Sequence, residues 1–246
     1  RFFSKYFMKS IVVFCLFFLI LSGCSQDNEN ISLQDKKIYE FSWCSYKDGF
    51  KAQDLNNELI SYLGFLKNLK DQHGLYKETK YLDPSFKQKK YDFSWLDIFE
   101  NELEKKAFYE FAENSEIHKN WLSSKDEIII CDTQKQTFYE TEITNNYDFL
   151  DGDQTYVGFC KLKDGFDLDY LMSEIRRNST FMNKPYNQVA LIPDFKMIDF
   201  NFLIYLETNF VMNDLNLIKK NGLDNACEEY ENYSANSLLF NTYTID

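Results

Sequence analysis

The amino-acid sequence predicts an α+β protein built from two tandem copies of one β-α-β-β-α-β unit. Recurrences in a fixed order carry that prediction. Trp43-Cys44-Ser45-Tyr46-Lys47-Asp48-Gly49-Phe50 returns 116 residues later as Phe159-Cys160-Lys161-Leu162-Lys163-Asp164-Gly165-Phe166. Asp92-Phe93-Ser94-Trp95-Leu96 returns 107 residues later as Asp199-Phe200-Asn201-Phe202-Leu203. Cys131 and Cys227 then stand in corresponding places, each followed by a β-like tail, Thr137 to Ile143 and Ser237 to Ile245. Self-similarity of this kind marks one supersecondary unit used more than once.

Each element has a local reason. Ile38 to Tyr46 alternates β-forming residues, and the Lys-Asp-Gly that follows makes a turn, with glycine supplying the permissive backbone. Leu55, Leu59, Tyr62, Leu63, Leu66 and Leu69 recur at helical spacing over residues 52–69, as Leu168, Leu171, Met172, Ile175 and Met182 do in the second copy. A weaker strand follows (75–82 and 187–192), ending near Pro84 or Pro193. Next come a strong strand (91–99 and 198–206), helical residues (101–122 and 210–230) and a last strand. Thr144 to Gln154, with Asn145, Asn146, Asp151, Gly152 and Asp153, reads as a linker.

This order resembles the ferredoxin-like pattern. Two such units in one chain resemble the dimeric α+β-barrel superfamily, in which two ferredoxin-like sheets face each other. The resemblance spans residues 37–246 and implies two tandem ferredoxin-like repeats forming a pseudo-dimeric α+β barrel. The chain is then a monomer, because duplication replaces the usual homodimer. The expected organisation is a signal peptide (1–23), a polar tether (24–36), repeat one (37–143), a linker (144–154) and repeat two (155–246). First and last strands lie side by side in that fold, so the resemblance also implies the bridges Cys44–Cys131 and Cys160–Cys227. From the residues alone four cysteines allow three pairings. Free buried thiols and a metal or redox site are the other readings, the latter without a C-x-x-C to support it.

The first residues follow a different logic. Arg1, Lys5 and Lys9 precede an unbroken apolar run of 11 residues, Ile11 to Leu21. That is about half of what a spanning helix needs and suits the core of a signal peptide. Leu21-Ser22-Gly23-Cys24 then resembles the lipobox of bacterial lipoproteins. The resemblance implies cleavage before Cys24, lipid on its thiol and anchoring in the cell envelope. By the sorting rule for Ser25, the anchor is the outer membrane, facing the periplasm. Met8-Lys9-Ser10 would make a usual start. Loss of residues 1–23 removes three positive charges and no acid, moving the formal net charge from −12 to −15. So acidic a surface repels phosphate backbones, which argues against nucleic acid as a partner.

Candidate chemistry is sparse. The 24 phenylalanines and 17 tyrosines can reflect an AT-rich codon bias as readily as an aromatic binding surface. The two histidines, His73 and His118, lie in polar surroundings and are expected at the surface. Asp148, Asp151 and Asp153 lack the glycine and closing glutamate of an EF-hand. Walker loops, G-x-G-x-x-G, G-x-S-x-G and H-E-x-x-H are absent. Asp97 is the exception. Phe93, Trp95, Asp97 and Phe99 share one face of a strand, against Phe200, Phe202, Ile204 and Leu206 in repeat two. A carboxylate buried among aromatics has its pKa raised, as a general acid or base requires; the plainer reading is that it reaches water or a lysine. Trp43 and Trp95 are candidate pocket walls, or simply core.

Two functions fit. The favoured one is a non-enzymatic lipoprotein scaffold, tethered to the membrane by Cys24, that binds an envelope protein or a small apolar ligand, with no cofactor. The other is a small-substrate enzyme with a pocket around Asp97, since relatives of this fold include monooxygenases, haem-degrading proteins and lyases.

Overall fold

The computed structural model describes residues 35–84, 91–132, 135–141, 152–181, 186–195, 200–209, 223–228 and 237–245, and only the backbone of 178–181 and 237–245. Hydrophobic alternation and capping place the elements. In the first half they are β1 (Ile38–Tyr46), α1 (Ala52–His73), β2 (Glu78–Pro84), β3 (Phe93–Phe99), α2 (Glu102–Asn114), α3 (Glu116–Ile128), β4 (Ile129–Cys131) and β5 (Gln136–Glu140). In the second they are β6 (Gln154–Cys160), α4 (Leu168–Phe181), β7 (Tyr186–Pro193), β8 (Phe202–Thr208), the single turn α5 (Asp224–Ala226) and β9 (Ser237–Ile245). The expected order is present in both halves. The signal peptide, Cys24, the tether as far as residue 34, the linker as far as Asp151, Asp148, Met182 and residues 210–222 lie outside the described residues. Among the described residues no helix is long and apolar enough to cross a membrane.

Two boundaries differ from expectation for identifiable reasons. The helical stretch predicted over 101–122 runs to Ile128 and breaks at Ser115. Ser115 closes α2 in an extended conformation and then caps α3, its side chain accepting a hydrogen bond from the His118 amide at 3.4 Å. A polar cap satisfies helix-end donors and lets the chain change direction. Gln154, expected to end the linker, is already the first residue of β6, paired with Thr208 and Asn241.

The strands run in the order β3-β2-β9-β6-β8-β7-β5-β1, and β1 pairs back onto β3, so the antiparallel sheet closes into a barrel. β4 lies on β1 beyond the end of β5. The last strand of each half forms a seam, β5 joining β1 to β7 and β9 joining β6 to β2. Alternation gives every strand one face inside the barrel and one under the helices.

The two halves align on structure rather than on the sequence match. Cys44 stands opposite Phe93, and Cys160 opposite Phe202. The Asp92 carboxylate accepts from the Tyr46 amide at 2.8 Å, as the Asn201 side chain accepts from Leu162 at 2.8 Å. Asp92 therefore corresponds to Asn201, two residues beyond the Asp199 that sequence matching chose. A slip of two preserves the face of every side chain. Trp95 and Asp97 correspond to Ile204 and Leu206.

Inside the barrel, Tyr39, Phe41, Trp43, Leu82, Leu96, Ile98, Phe138, Val157, Val189, Leu191, Leu203 and Tyr205 form one buried cluster. The space between the two sheets is core. Among the described residues one charged contact crosses it: Lys80 bonds Glu207 of the other half, with Glu78 a second partner at 2.9 Å and the Tyr205 hydroxyl donating to Glu207. The structural twins of Lys80 and Glu207 are Val189 and Ile98, both buried in the same cluster.

Cys44 is bonded to Cys131 and Cys160 to Cys227, the pairing that the barrel resemblance implies. The repeated Lys-Asp-Gly turns have a structural reason. Gly49 and Gly165 adopt φ of 88° and 84°, a region L side chains rarely enter. The turn lysines, Lys47 and Lys163, donate to the carbonyls of Asp126 and Asp224 on α3 and α5. A lysine ammonium there satisfies a carbonyl near the helix end.

Candidate functional site

On the helix side of the first half, three helices stand off the sheet. Between them and β1, β2 and β3 lies a cavity of about 530 Å³. Tyr62 of α1, Trp95 of β3, Phe108 and Tyr109 of α2, and His118, Trp121, Leu122 and Lys125 of α3 line it. Lys77, Asp97, Lys135 and the Cys44–Cys131 bridge contribute to its wall. A cleft of several hundred cubic ångströms with apolar walls and a few convergent polar groups is the usual form of a small-molecule site.

Aromatic residues shape it. Tyr62 and Trp121 stack with centroids 4.6 Å apart, and Trp95 meets Trp121 at 6.1 Å. Trp43, proposed from sequence as a companion to Trp95, faces the opposite way. It sits in the barrel interior with its indole Nε1 donating to Gln136 at 3.0 Å. The β1–β3 register sets Trp95 opposite Ser42 and Trp43 opposite Ser94, so the two tryptophans fall on opposite faces, and that register is not visible in the sequence alone.

Asp97 is buried at 3% exposure. Its Oδ1 accepts from Lys77 at 2.8 Å, from Thr79 at 2.8 Å and from the Trp95 indole at 3.1 Å. Its Oδ2 accepts from Lys135 at 3.4 Å. Burial alone raises its pKa, but the two lysines and the hydrogen bonds outweigh burial and hold it well below the usual carboxylate range. The expectation of a raised pKa is therefore wrong; reaching a lysine is what this carboxylate does. It is a fixed anion and no proton donor.

Glu40 faces Asp97 directly across β1 and β3. Like charges so placed repel, and Lys135 bridges them, at 3.2 Å from Glu40, while Lys105 holds the other Glu40 oxygen at 3.1 Å. Tyr109 donates its hydroxyl to Glu40 and accepts from Lys135, and burial beside the two carboxylates pushes its pKa up.

His118 is the residue sequence reasoning missed. It is buried (9% exposed), packs against Phe65 and Tyr62 with centroids 5.5 and 5.9 Å away, and leaves Nδ1 without a hydrogen-bond partner among the described residues. Desolvation first, then Lys77, Lys125 and Lys135, push its pKa down to about 4, so the ring is neutral at pH 7. Its place in the first turn of α3 works the same way, since the positive end of the helix dipole disfavours a cation. His73 is exposed as expected, against Phe111. A signal for His118 existed in sequence: Ser115-x-x-His118, followed by Trp121, Leu122 and Lys125 at helical spacing, turns that face toward the sheet. If a metal-bearing ligand entered the cavity, His118 is the imidazole that lines it. Among the described residues no group of three or more His, Cys, Asp or Glu could hold a metal ion.

Among the described residues of the second half this site has no counterpart. Lys77, Thr79 and Asp97 correspond to Tyr186, Gln188 and Leu206. Leu171, Met172, Ile175, Ala190, Ile204, Leu223 and Ala226 close the helix side as core, with the Cys160–Cys227 bridge.

No family model matches the chain, and no curated protein matches it. Solved structures do. A chlorite dismutase variant from Candidatus Nitrospira defluvii superposes with a TM-score of 0.54 at 12% identity, covering 89% of this chain and 95% of that one. A candidate chlorite dismutase gives 0.51 at 10% identity, over 86% and 95%. A candidate monooxygenase from Lactobacillus acidophilus gives 0.53 at 8% identity, over 86% and 95%. These likenesses, together with a cavity that holds Asp97 and a neutral histidine, overturn the expectation of a non-enzymatic scaffold and favour the enzyme reading beside it. At such identities the shared property is the architecture: the chain has the mixed α+β fold of the chlorite dismutase-like dimeric α+β-barrel proteins, with both halves in one polypeptide.

Proposed function

We propose that this chain is a small-substrate enzyme of the dimeric α+β-barrel type, with monooxygenase- or lyase-like chemistry and one active site, in its first half. The observation that carries the reading is the aromatic-walled cavity lined by His118, a buried imidazole whose Nδ1 has no partner among the described residues. An unsatisfied buried acceptor costs about 1–3 kcal/mol, and a ligand hydrogen bond removes that cost. In this mechanism Trp95, Trp121 and Tyr62 hold the substrate's apolar body. Neutral His118 takes a proton from it, and the lysines of the wall stabilise the anion that remains. Asp97 stays ionised throughout and fixes Lys77 and Lys135. The lipobox-like Leu21-Ser22-Gly23-Cys24 supports placing the enzyme in the cell envelope, anchored by lipid on Cys24, and its acidity supports a role apart from nucleic acid.

A thermal-shift screen of the purified protein against phenolics, fatty acids and haem tests the reading. Binding raises the melting temperature in proportion to ligand concentration over Kd. A clear rise with an aromatic compound, lost in His118→Phe, is expected. No rise with any of the three classes defeats it.

A further inference from the structure

The cavity inverts the charge of the chain around it. The protein carries 39 acidic against 27 basic residues, yet Lys77, Lys119, Lys125 and Lys135 line the cavity against Asp97, Glu113 and Asp132. The four lysines are not equivalent. Lys77 and Lys135 are committed to Asp97 and Glu40. Lys119 is half exposed and paired with Glu116 on the outside of α3. Lys125 differs: its side chain is 24% exposed, its partner is the neighbouring surface carboxylate Asp126 at 3.2 Å, and it shares with His118 and Trp121 the face of α3 that looks into the cavity. A carboxylate partner in open water holds an ammonium weakly.

We infer, resting on the reading above, that the substrate is an aromatic carboxylate, whose ring lies against Trp121 and Trp95 and whose anionic group is received by Lys125. The rings supply flat apolar walls, and an ammonium within a partly desolvated cavity supplies a charge-assisted contact stronger than one in bulk water. The arrangement also couples binding to the base. The groups facing His118 are Lys77 from the start of β2, Lys125 from its own helix, Lys135 ahead of β5, Asp97 from β3 and the Tyr62 ring from α1. A bound anion offsets the three lysines and so raises the proton affinity of His118, making a weak base a competent one only when substrate is present. Reciprocally, proton uptake strengthens anion binding.

The test is calorimetric titration of the full chain with 2-naphthoate, its uncharged amide 2-naphthamide, and 2-naphthylmethylammonium, at pH 5.5 in buffers of different ionisation enthalpy. Wild type is expected to bind naphthoate at least about ten-fold more tightly than the amide, the size of one charge-assisted contact, with net proton uptake. Lys125→Gln is expected to bring the two Kd values within about two-fold of each other. His118→Phe is expected to abolish the proton uptake. If the amide binds as well as naphthoate, or the ammonium binds best, or Lys125→Gln keeps the preference, the inference is overturned while the pocket reading survives. If none of the three binds, the pocket reading falls with it.

Discussion

Replacing Asp97 by leucine, the residue at its structural twin, tests the electrostatics of the site most directly. In wild type the carboxylate takes four donors, and Lys77, its main partner, has a side chain only 3% exposed. Asp97→Leu leaves the Lys77 ammonium buried without its counter-ion, although it still lies 4.9 Å from the Phe108 ring and 5.4 Å from that of Tyr62. Removing one partner of a buried pair costs about 3–5 kcal/mol, most of it the stranded charge. For a body of this size that lowers the melting temperature by about 10 °C. Lys77→Met is milder, about 2 kcal/mol, because Asp97 keeps Lys135, Thr79 and Trp95. The double variant removes both charges and recovers about 2–3 kcal/mol relative to the sum of the singles. Urea unfolding followed by tryptophan fluorescence reads all four proteins. The pH dependence has a definite sign. The folded carboxyl titrates below its unfolded value of 3.8, so its contribution is full above that value and is lost as pH falls through the folded one. Asp97→Leu abolishes that acid-side loss. A single-variant cost under about 1 kcal/mol, or strict additivity in the double, refutes the account of Asp97 as a fixed anion paired to Lys77.

Lys80→Met strands Glu207 inside the barrel and is expected to cost about 3–5 kcal/mol, with partial recovery in Lys80→Met/Glu207→Leu; urea midpoints measure it. The joint Cys44→Ala/Cys131→Ala change, opening a loop of 87 residues, is expected to cost about 4 kcal/mol on a chain-entropy model, and dithiothreitol treatment of wild type should shift the midpoint in the same direction. His118, with its folded pKa of about 4 below the ordinary 6.5, stays neutral where the unfolded chain is protonated, so wild-type stability falls as pH drops from 6.5 toward 4. In His118→Phe the melting temperature should be flatter across that window, and an unchanged slope counts against a buried neutral imidazole.

The architecture was readable because it rests on local, repeated signals. Alternation in Ile38 to Tyr46, helical spacing from Leu55 to Leu69, and the twice-used Lys-Asp-Gly turn each fix an element, and their recurrence fixes the fold. The site was only half readable. Asp97 stood out as an acid among aromatics, but its protonation state is set by Lys77 and Lys135, residues 20 and 38 positions away. His118 looked exposed because its neighbours in sequence are polar; what buries it is the break at Ser115, which turns α3 against Tyr62 and Phe65. Trp43 and Trp95 seemed alike because both sit in strands, while the pairing of β1 with β3 sends one into the barrel and the other under the helices. Contacts between distant segments decided every one of these outcomes.

Duplication within one chain explains why the site can exist at all. In a homodimer each substitution appears twice, so a buried charge on one side of the barrel must find its partner on a surface of identical sequence. Two copies of the first half would set Lys80 against Ile98, since Ile98 is the twin of Glu207, and would leave Glu78 as the carboxylate for a buried cation at each seam. Fusion removes that constraint. One half can supply Lys80 and the other Glu207, while Val189 and Ile98 keep the matching place apolar. The same freedom lets the helix side of the first half open around Lys77, Asp97 and His118, while the described residues of the second bury Ile204 and Met172 in a core cluster, with Leu206 buried at the place of Asp97.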